Sequence, residues 1–411
     1  MNPLLADLQP YPFERLRQLF AGVKPNPALR HISLGIGEPK HETPAFILDA
    51  LDASARALPS GLASYPLTAG TPELRNACAA WLQRRYGVPI DADTQTLPVM
   101  GSREALFALA QTVVNPQKQG LEGAKPWVLS PNPFYQIYEG AAILSGARPW
   151  YVPAQPARNF APDWASVPAE VWADTQLVYV CSPGNPTGAV LPMSEWATLF
   201  ELSAKHDFVI ASDECYSEIY FREEAPLSGL QAALHCGVKD FKNLVMLTSL
   251  SKRSNVPGMR SGFVAGDASI LKAFQLYRTY HGNAMSPVVQ AASIAAWSDE
   301  VHVMANRDQY RAKFAQVTPV LAGVLDVKLP DAAFYLWAGV PGVGGALGDD
   351  QAFARDLYAQ YNVTVLPGSF LARDFQGVNP GRGRVRMALV AETAECLEAA
   401  HRIAQFCQSR V

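Results

Sequence analysis

Short runs of apolar residues punctuate the middle of this chain: Leu97–Met100, Trp127–Leu129, Leu177–Cys181, Phe208–Ala211, Leu244–Leu247 and Gly262–Ala265. A strand that is apolar along its whole length has no face to offer to water, so these runs predict a sheet covered on both sides. Helical stretches separate several of them, among them Arg103–Val114 and Met193–Lys205. Repeated strand–helix units predict an α/β fold, with a mainly parallel central sheet and right-handed crossovers between helical layers. Two helices precede the pattern. One runs from Thr43 to Leu58 and is opened by Thr-Pro; the other runs from Glu73 to Tyr86 with Leu74, Ala77, Cys78, Trp81 and Leu82 on one face.

After about residue 290 the pattern changes. A long helical region, Val289–Val324, leads to Phe334-Tyr335-Leu336-Trp337, a helix at Asp349–Tyr361, a strand at Arg384–Leu389 and a last helix at Ala394–Gln408. This reads as a smaller α+β unit, with Gly339–Gly345 as a surface loop. With 411 residues the chain is too long for one simple core. The expected division is 1–42 as an N-terminal arm and part of the small domain, 43–290 as the large domain and 291–411 as the small C-terminal domain. The arm is rich in Pro and Leu, and it looks made to pack on something else, such as a second subunit.

A net charge of −3 with no basic cluster argues against a nucleic-acid surface. No apolar run approaches the ~18–20 residues that span a bilayer. Met1–Pro10 lacks the basic and apolar regions of a signal peptide. The six cysteines (Cys78, Cys181, Cys215, Cys236, Cys396, Cys407) show no metal-like spacing and read as reduced core residues of a cytoplasmic protein.

The ends of the apolar runs hold the chemistry. Ser249-Leu250-Ser251-Lys252 follows one of them, with Arg260 eight residues on. A lysine amine can condense with an aldehyde, and hydroxyls with an arginine can grip a phosphate. Pyridoxal phosphate carries both groups, and it also needs an acid for its ring nitrogen and a flat group for its ring. Gly101-Ser102-Arg103 opens a helix after the first run, which makes either a plain turn or a phosphate site of backbone N–H groups. Ser182-Pro183-Gly184-Asn185-Pro186-Thr187-Gly188 is either a tight turn or a loop that aims the Asn185 amide at a ligand. Asp213, in Ser212-Asp213-Glu214-Cys215-Tyr216, either caps a helix or faces a protonated pyridine nitrogen.

These segments, in this order, resemble the class I/II aminotransferases, the fold-type-I pyridoxal phosphate enzymes, from about Ser33 to the C-terminus. The resemblance implies that Lys252 is the Schiff-base lysine and moves the substrate α-proton. It implies that Asp213 faces the pyridine nitrogen and that Asn185 and Tyr216 bond the ring oxygen. Ser102, Arg103, Ser249, Ser251 and Arg260 would surround the phosphate. Tyr135, in Asn132-Pro133-Phe134-Tyr135, would stack on the ring. Tyr65 would reach the phosphate of a neighbouring subunit in a homodimer with shared active sites. Arg386 would bind the substrate α-carboxylate, helped by Asn185, and Gly37, in Gly35-Ile36-Gly37-Glu38-Pro39, lies in the loop that closes over substrate. The substrates would be an amino acid and a 2-oxo acid, with the glutamate/2-oxoglutarate pair as donor couple and ping-pong kinetics.

Gly-Glu-Pro-Lys40-His41, Ser-Lys-Arg253-Ser-Asn and the opening Met1–Leu5 look like the proteobacterial succinyldiaminopimelate aminotransferases of lysine biosynthesis. Lys40 and Arg253 are then candidates for the distal carboxylates of that substrate, or else solvated surface charges. His41 reads as a loop histidine without a catalytic part. Aspartate, aromatic, alanine or N-acetylornithine specificity could sit on the same frame, as could a pyridoxal phosphate lyase. A transcriptional regulator would need a DNA-binding domain ahead of the matching region, and the residues there are too few.

Overall fold

Seven strands make the central sheet, and their order explains where ligands can bind. A computed structural model describes residues 1–118, 120 and 125–410. The first strand, β1 (Ile32–Ser33), lies outside that sheet. The sheet strands are β2 (Thr96–Val99), β3 (Trp127–Asn132), β4 (Arg148–Pro153), β5 (Thr175–Cys181), β6 (Val209–Asp213), β7 (Leu244–Ser249) and β8 (Gly262–Gly266). They are ordered β2-β8-β7-β6-β5-β3-β4. The pairs from β4 to β7 are all parallel, whereas β8 runs antiparallel to both β7 and β2. The sheet is therefore mainly parallel, as the apolar runs predict.

Both faces are buried, and alternation along each strand shows it. In β7, Leu244 and Met246 join one core while Val245 and Leu247 join the other; in β5, Val178 and Val180 face away from Leu177 and Tyr179. One face packs on helices Ala45–Arg56, Pro72–Tyr86 and Pro287–Ser298, through Ile47, Trp81 and Trp297. The other packs on helices Ser102–Val113, Ile137–Leu144 and Ala268–His281, through Leu106, Tyr138 and Phe274.

The long helical region read at Val289–Val324 is two helices, Pro287–Ser298 and Val301–Ala322. The first adds Ala292, Ala296 and Trp297 to the core on the large sheet; the second adds Tyr310, Phe314 and Val317 to a separate core. Asp299 breaks the run by accepting the backbone N–H of His302 at 3.0 Å, which starts the second helix. That second core also holds β9 (Tyr335–Gly339), β10 (Val363–Thr364), β12 (Arg384–Ala388) and the helices Asp350–Tyr361 and Thr393–Gln408. Between β10 and β12 lies β11 (Leu366–Pro367); a three-stranded antiparallel sheet runs β11-β12-β9, and β1 pairs with β10.

Two further readings need correction. Strand β4 was missed: its apolar stretch, Trp150-Tyr151-Val152, is hemmed in by Arg148-Pro149 and Pro153, and it is an edge strand, where proline is tolerated. Of the six cysteines, Cys78, Cys396 and Cys407 are buried, Cys181 and Cys215 are half-buried, and Cys236 is exposed at the end of helix Gly229–His235, so not all are core residues. Among the described residues, no helix is long and apolar enough to cross a membrane.

Candidate active site

One edge of the large sheet collects the motif residues. The parallel strands end there in Gly101-Ser102 after β2, Pro133–Tyr135 after β3, Ser182–Asn185 after β5, Asp213 in β6 and Ser249–Lys252 at β7. Ligands in open α/β sheets gather at this edge. Strand β8 runs backwards, so its first residue, Gly262, pairs with Ser249 and Val99 at the same edge and brings Arg260 there too.

A cavity of about 540 Å³ lies at this edge. It is lined by Gly37, Ser102, Arg103, Tyr135, Asn185, Asp213, Tyr216, Ser249, Ser251, Lys252, Arg260 and Arg386, which is every residue given a role by the class I/II resemblance except Tyr65. Tyr65 is fully exposed and lies away from the cavity of its own chain.

Lys252 sits on the short helix Leu250–Arg253 and donates from Nζ to the Gly37 carbonyl at 3.0 Å. Burial lowers its pKa to about 8. Asp213 is buried, and its partners are neutral: Oδ2 accepts from Tyr138 Oη at 2.7 Å and Oδ1 from the Cys215 N–H at 3.3 Å. Desolvation raises its pKa, against these hydrogen bonds and the charge of Lys252. Arg386 is also buried, without a carboxylate partner among the described residues. It donates to Asn185 Oδ1 at 3.1 Å and to the Gly35 carbonyl at 2.8 Å, lies over the Tyr335 ring at 4.5 Å, and leaves Nε unpaired. Tyr216 shares a 2.9 Å hydrogen bond with Tyr335. Tyr135 Oη accepts from Arg103 Nε at 2.6 Å, and Ser102 Oγ accepts from Cys215 Sγ at 2.9 Å.

Two glycines are required by close approach. A Cβ on Gly37 would collide with the Tyr335 hydroxyl. A Cβ on Gly101, whose φ is +83°, would collide with Arg260 Nη2.

Sequence reasoning missed Tyr138, Cys215 and Tyr335. Tyr138 lies three residues past Tyr135, but only tertiary packing brings its hydroxyl to Asp213. The arm also contributes: Tyr11, Pro12 and Phe13 line the cavity, and Leu16 packs with Trp337, Leu366 and Phe370 of the same chain. Lys40 is exposed and does not line the cavity. Arg253 is neither a surface charge nor a residue of the cavity mouth. It is 2 % exposed and donates to the carbonyls of Ala296 (2.6 Å) and Asp299 (3.1 Å) and to Glu300 (2.8 Å), between Trp81 and Trp297. There it ties down the end of helix Pro287–Ser298.

The family model for aminotransferase class I and II matches residues 30–403. This chain is a class I/II aminotransferase. An aminotransferase from Neisseria meningitidis is 56 % identical, with a TM-score of 0.93 over 99 % of this chain and 100 % of that one. The LL-diaminopimelate aminotransferase of Desulforudis audaxviator is 32 % identical over 99 % of this chain and 97 % of its own length. A probable N-succinyldiaminopimelate aminotransferase from Thermus thermophilus is 27 % identical, with a TM-score of 0.83 over 96 % of this chain and 99 % of that one. Membership makes the aminotransferase a pyridoxal phosphate enzyme that moves amino groups between amino acids and 2-oxo acids.

Proposed function

We propose that this aminotransferase acts on N-succinyl-L,L-diaminopimelate with 2-oxoglutarate as acceptor, in lysine and diaminopimelate biosynthesis. The observation that carries the site assignment is the meeting of Lys252, Asp213, Arg260 and Arg386 in one cavity. The donor set fits pyridoxal phosphate. Asp213 is a buried carboxylate with neutral partners, suited to a protonated ring nitrogen. Arg260, packed on Gly101 with Ser102, Arg103, Ser249 and Ser251 close by, suits a phosphate. Asn185, Tyr216 and Tyr135 are left for the ring.

The bound cofactor supplies an electron sink for the substrate α-carbon. Asp213 holds a proton on the ring nitrogen, because an adjacent carboxylate favours the charged form. Arg386 holds the α-carboxylate, which a planar fork does better than an ammonium. Lys252 Nζ, with its pKa lowered to about 8, moves the proton from the α-carbon. Gly37 lets its loop approach Tyr335 and close the site.

The substrate reading is supported by the Gly-Glu-Pro-Lys-His and Ser-Lys-Arg-Ser-Asn segments and by the name of the Thermus structure. A second reading, unacylated L,L-diaminopimelate, is favoured by the names of the curated relatives. We also propose a homodimer that lends Tyr65 to the partner's site; Leu58, Leu62, Tyr65 and Leu67 are all strongly exposed on one segment. A division into a large domain on the seven-stranded sheet and a small C-terminal domain is supported by the separate cores, and a cytoplasmic setting by the six free cysteines.

The test is an absorbance titration of the loaded enzyme with L-glutamate, then N-succinyl-L,L-diaminopimelate, then L,L-diaminopimelate. The proposal expects the first two to move the visible cofactor band to the ultraviolet and 2-oxoglutarate to restore it. A response to L,L-diaminopimelate but not to its succinyl derivative selects the second reading. A response to glutamate alone sinks both.

A further inference from the structure

Behind the site loop lies a chain of hydrogen bonds that the transamination chemistry does not use. Lys313, 1 % exposed, donates from Nζ to His41 Nε2 at 2.9 Å. His41 Nδ1 meets Asn306 Oδ1 at 2.8 Å, and the same oxygen accepts from Asn255 Nδ2 at 3.0 Å. Asn306 Nδ2 donates to the main-chain carbonyl of Lys252 at 3.3 Å. Thr43 Oγ1, two residues beyond His41, donates to the Asn255 carbonyl at 3.1 Å. Asn306, Tyr310 and Lys313 lie on one face of helix Val301–Ala322, and the Tyr310 ring packs on the imidazole at 4.5 Å.

The chain of donors fixes the state of His41. An amide oxygen faces Nδ1, so Nδ1 carries the proton and Nε2 offers its lone pair to Lys313. A doubly protonated ring would set an N–H against an ammonium at 2.9 Å, two donors and two like charges. The link therefore exists only while His41 is neutral.

We propose that His41 is a positioning residue that, while uncharged, accepts from Lys313 and so clamps the loop bearing Gly37 to helix Val301–Ala322, whose Asn306 holds the turn bearing Lys252, and that taking up a proton breaks the Lys313 bond and loosens the loop while the bond from Nδ1 to Asn306 remains. Burial lowers the pKa of His41 below 6.5; the Asn306 bond and Glu392 oppose the shift, and the charge of Lys313 adds to it. The charged groups around the pair are Lys40 on the loop and Glu392 beside helix Thr393–Gln408, with the Cys396 thiol on that helix. A histidine with a depressed folded pKa stabilises the clamp fully above the unfolded value of about 6.5 and loses that contribution as pH falls through the folded value.

The experiment is amide hydrogen exchange of the full chain, with and without cofactor, from about pH 8 to about pH 5.5, read as protection factors for residues 34–43. In the wild type, protection falls as pH drops below about 6.5, where the released His41 takes up its proton first, by at most about tenfold per pH unit for one proton, and levels off once the clamped His41 is protonated too. His41→Gln can still accept from Lys313 and donate to Asn306 but cannot titrate, so its protection stays level. Lys313→Met removes the second charge, so the ring titration of His41, followed by NMR, moves to higher pH. If His41→Gln loses protection in step with the wild type, or Lys313→Met leaves the His41 titration in place, the proposal is wrong. A purely structural histidine would change protection equally at every pH. Exchange needs no substrate, so its outcome is independent of the substrate reading.

Discussion

Lys252 and Arg386 are the two cations of the site whose surroundings matter most, and each is buried for a different use. Desolvation disfavours the ammonium, so the amine of Lys252 is released near pH 8 rather than above 10. In the cofactor-free protein, labelling of Lys252 by an amine reagent should follow a midpoint of about 8, with the free base reactive above it. Peptide mapping of the label over a pH series checks this; a midpoint near 10.5 would show an exposed, ordinary lysine. Arg386, with Nε unpaired and no carboxylate partner among the described residues, is left open to an anion instead. The lysine was legible because Ser249-Leu250-Ser251-Lys252 is a dense local signal. Tyr138 and Tyr335 were not, because nothing near them in sequence says which hydroxyl meets Asp213 or Tyr216. Arg253 was misjudged for the same reason: an arginine next to the site lysine in sequence points away from it on a helical turn.

At the scale of elements, the βα turn at Gly101 shows how backbone shape selects a residue. Strand β2 ends at Val99, and the helix begins at Ser102 with Gly101 at φ +83° against the Arg260 guanidinium. Gly101→Ala adds a side chain in a left-handed conformation, at a strain of about 1–3 kcal/mol, and it displaces Arg260. Cofactor affinity should fall by about tenfold or more, since about 1.4 kcal/mol is a factor of ten. Thermal unfolding of the cofactor-free protein should also move down, by about a few degrees, because the backbone strain is present without the cofactor. Equilibrium dialysis with pyridoxal phosphate and a melting curve separate the two effects; unchanged affinity would mean that Arg260 does not serve the phosphate. Most strands were visible as apolar runs because both sheet faces are buried. Strand β4 was not, because an edge strand accommodates proline and arginine. The break at Asp299 was hidden because helical periodicity runs up to it from both sides.

For the whole molecule, exposure of Tyr65, Leu58, Leu62 and Leu67 is the observation that needs a partner. A contiguous apolar stretch left open to solvent is the usual mark of an interaction surface. If Tyr65 serves a neighbour's site, a hybrid dimer of Lys252→Ala and Tyr65→Ala subunits has one doubly damaged site and one intact site. Mixing and refolding the two inactive variants should restore about a quarter of wild-type activity, from the half of dimers that are hybrid in a two-fold assembly. No recovery, with hybrids confirmed by mass, would put Tyr65 in its own chain's chemistry or in none.

The layered α/β architecture and most of the site follow from local sequence. Apolar runs demand a doubly covered sheet, and parallel strands place their following turns on one edge. Those turns carry Ser102, Asn185, Asp213 and Lys252 wherever the strands fall in the sheet. The tertiary structure decided what depends on strand order and on packing between distant segments. The reversal of β8 brings Arg260 to the phosphate-like cradle at Gly101. The second core carries Arg386 to Asn185 across 201 residues. The arm turns Tyr11 and Phe13 into cavity walls, and helix Val301–Ala322 couples His41 to the Lys252 turn. Such contacts join segments that have no periodicity in common, so their free energy is set by three-dimensional closure and leaves no mark on any local stretch of the chain.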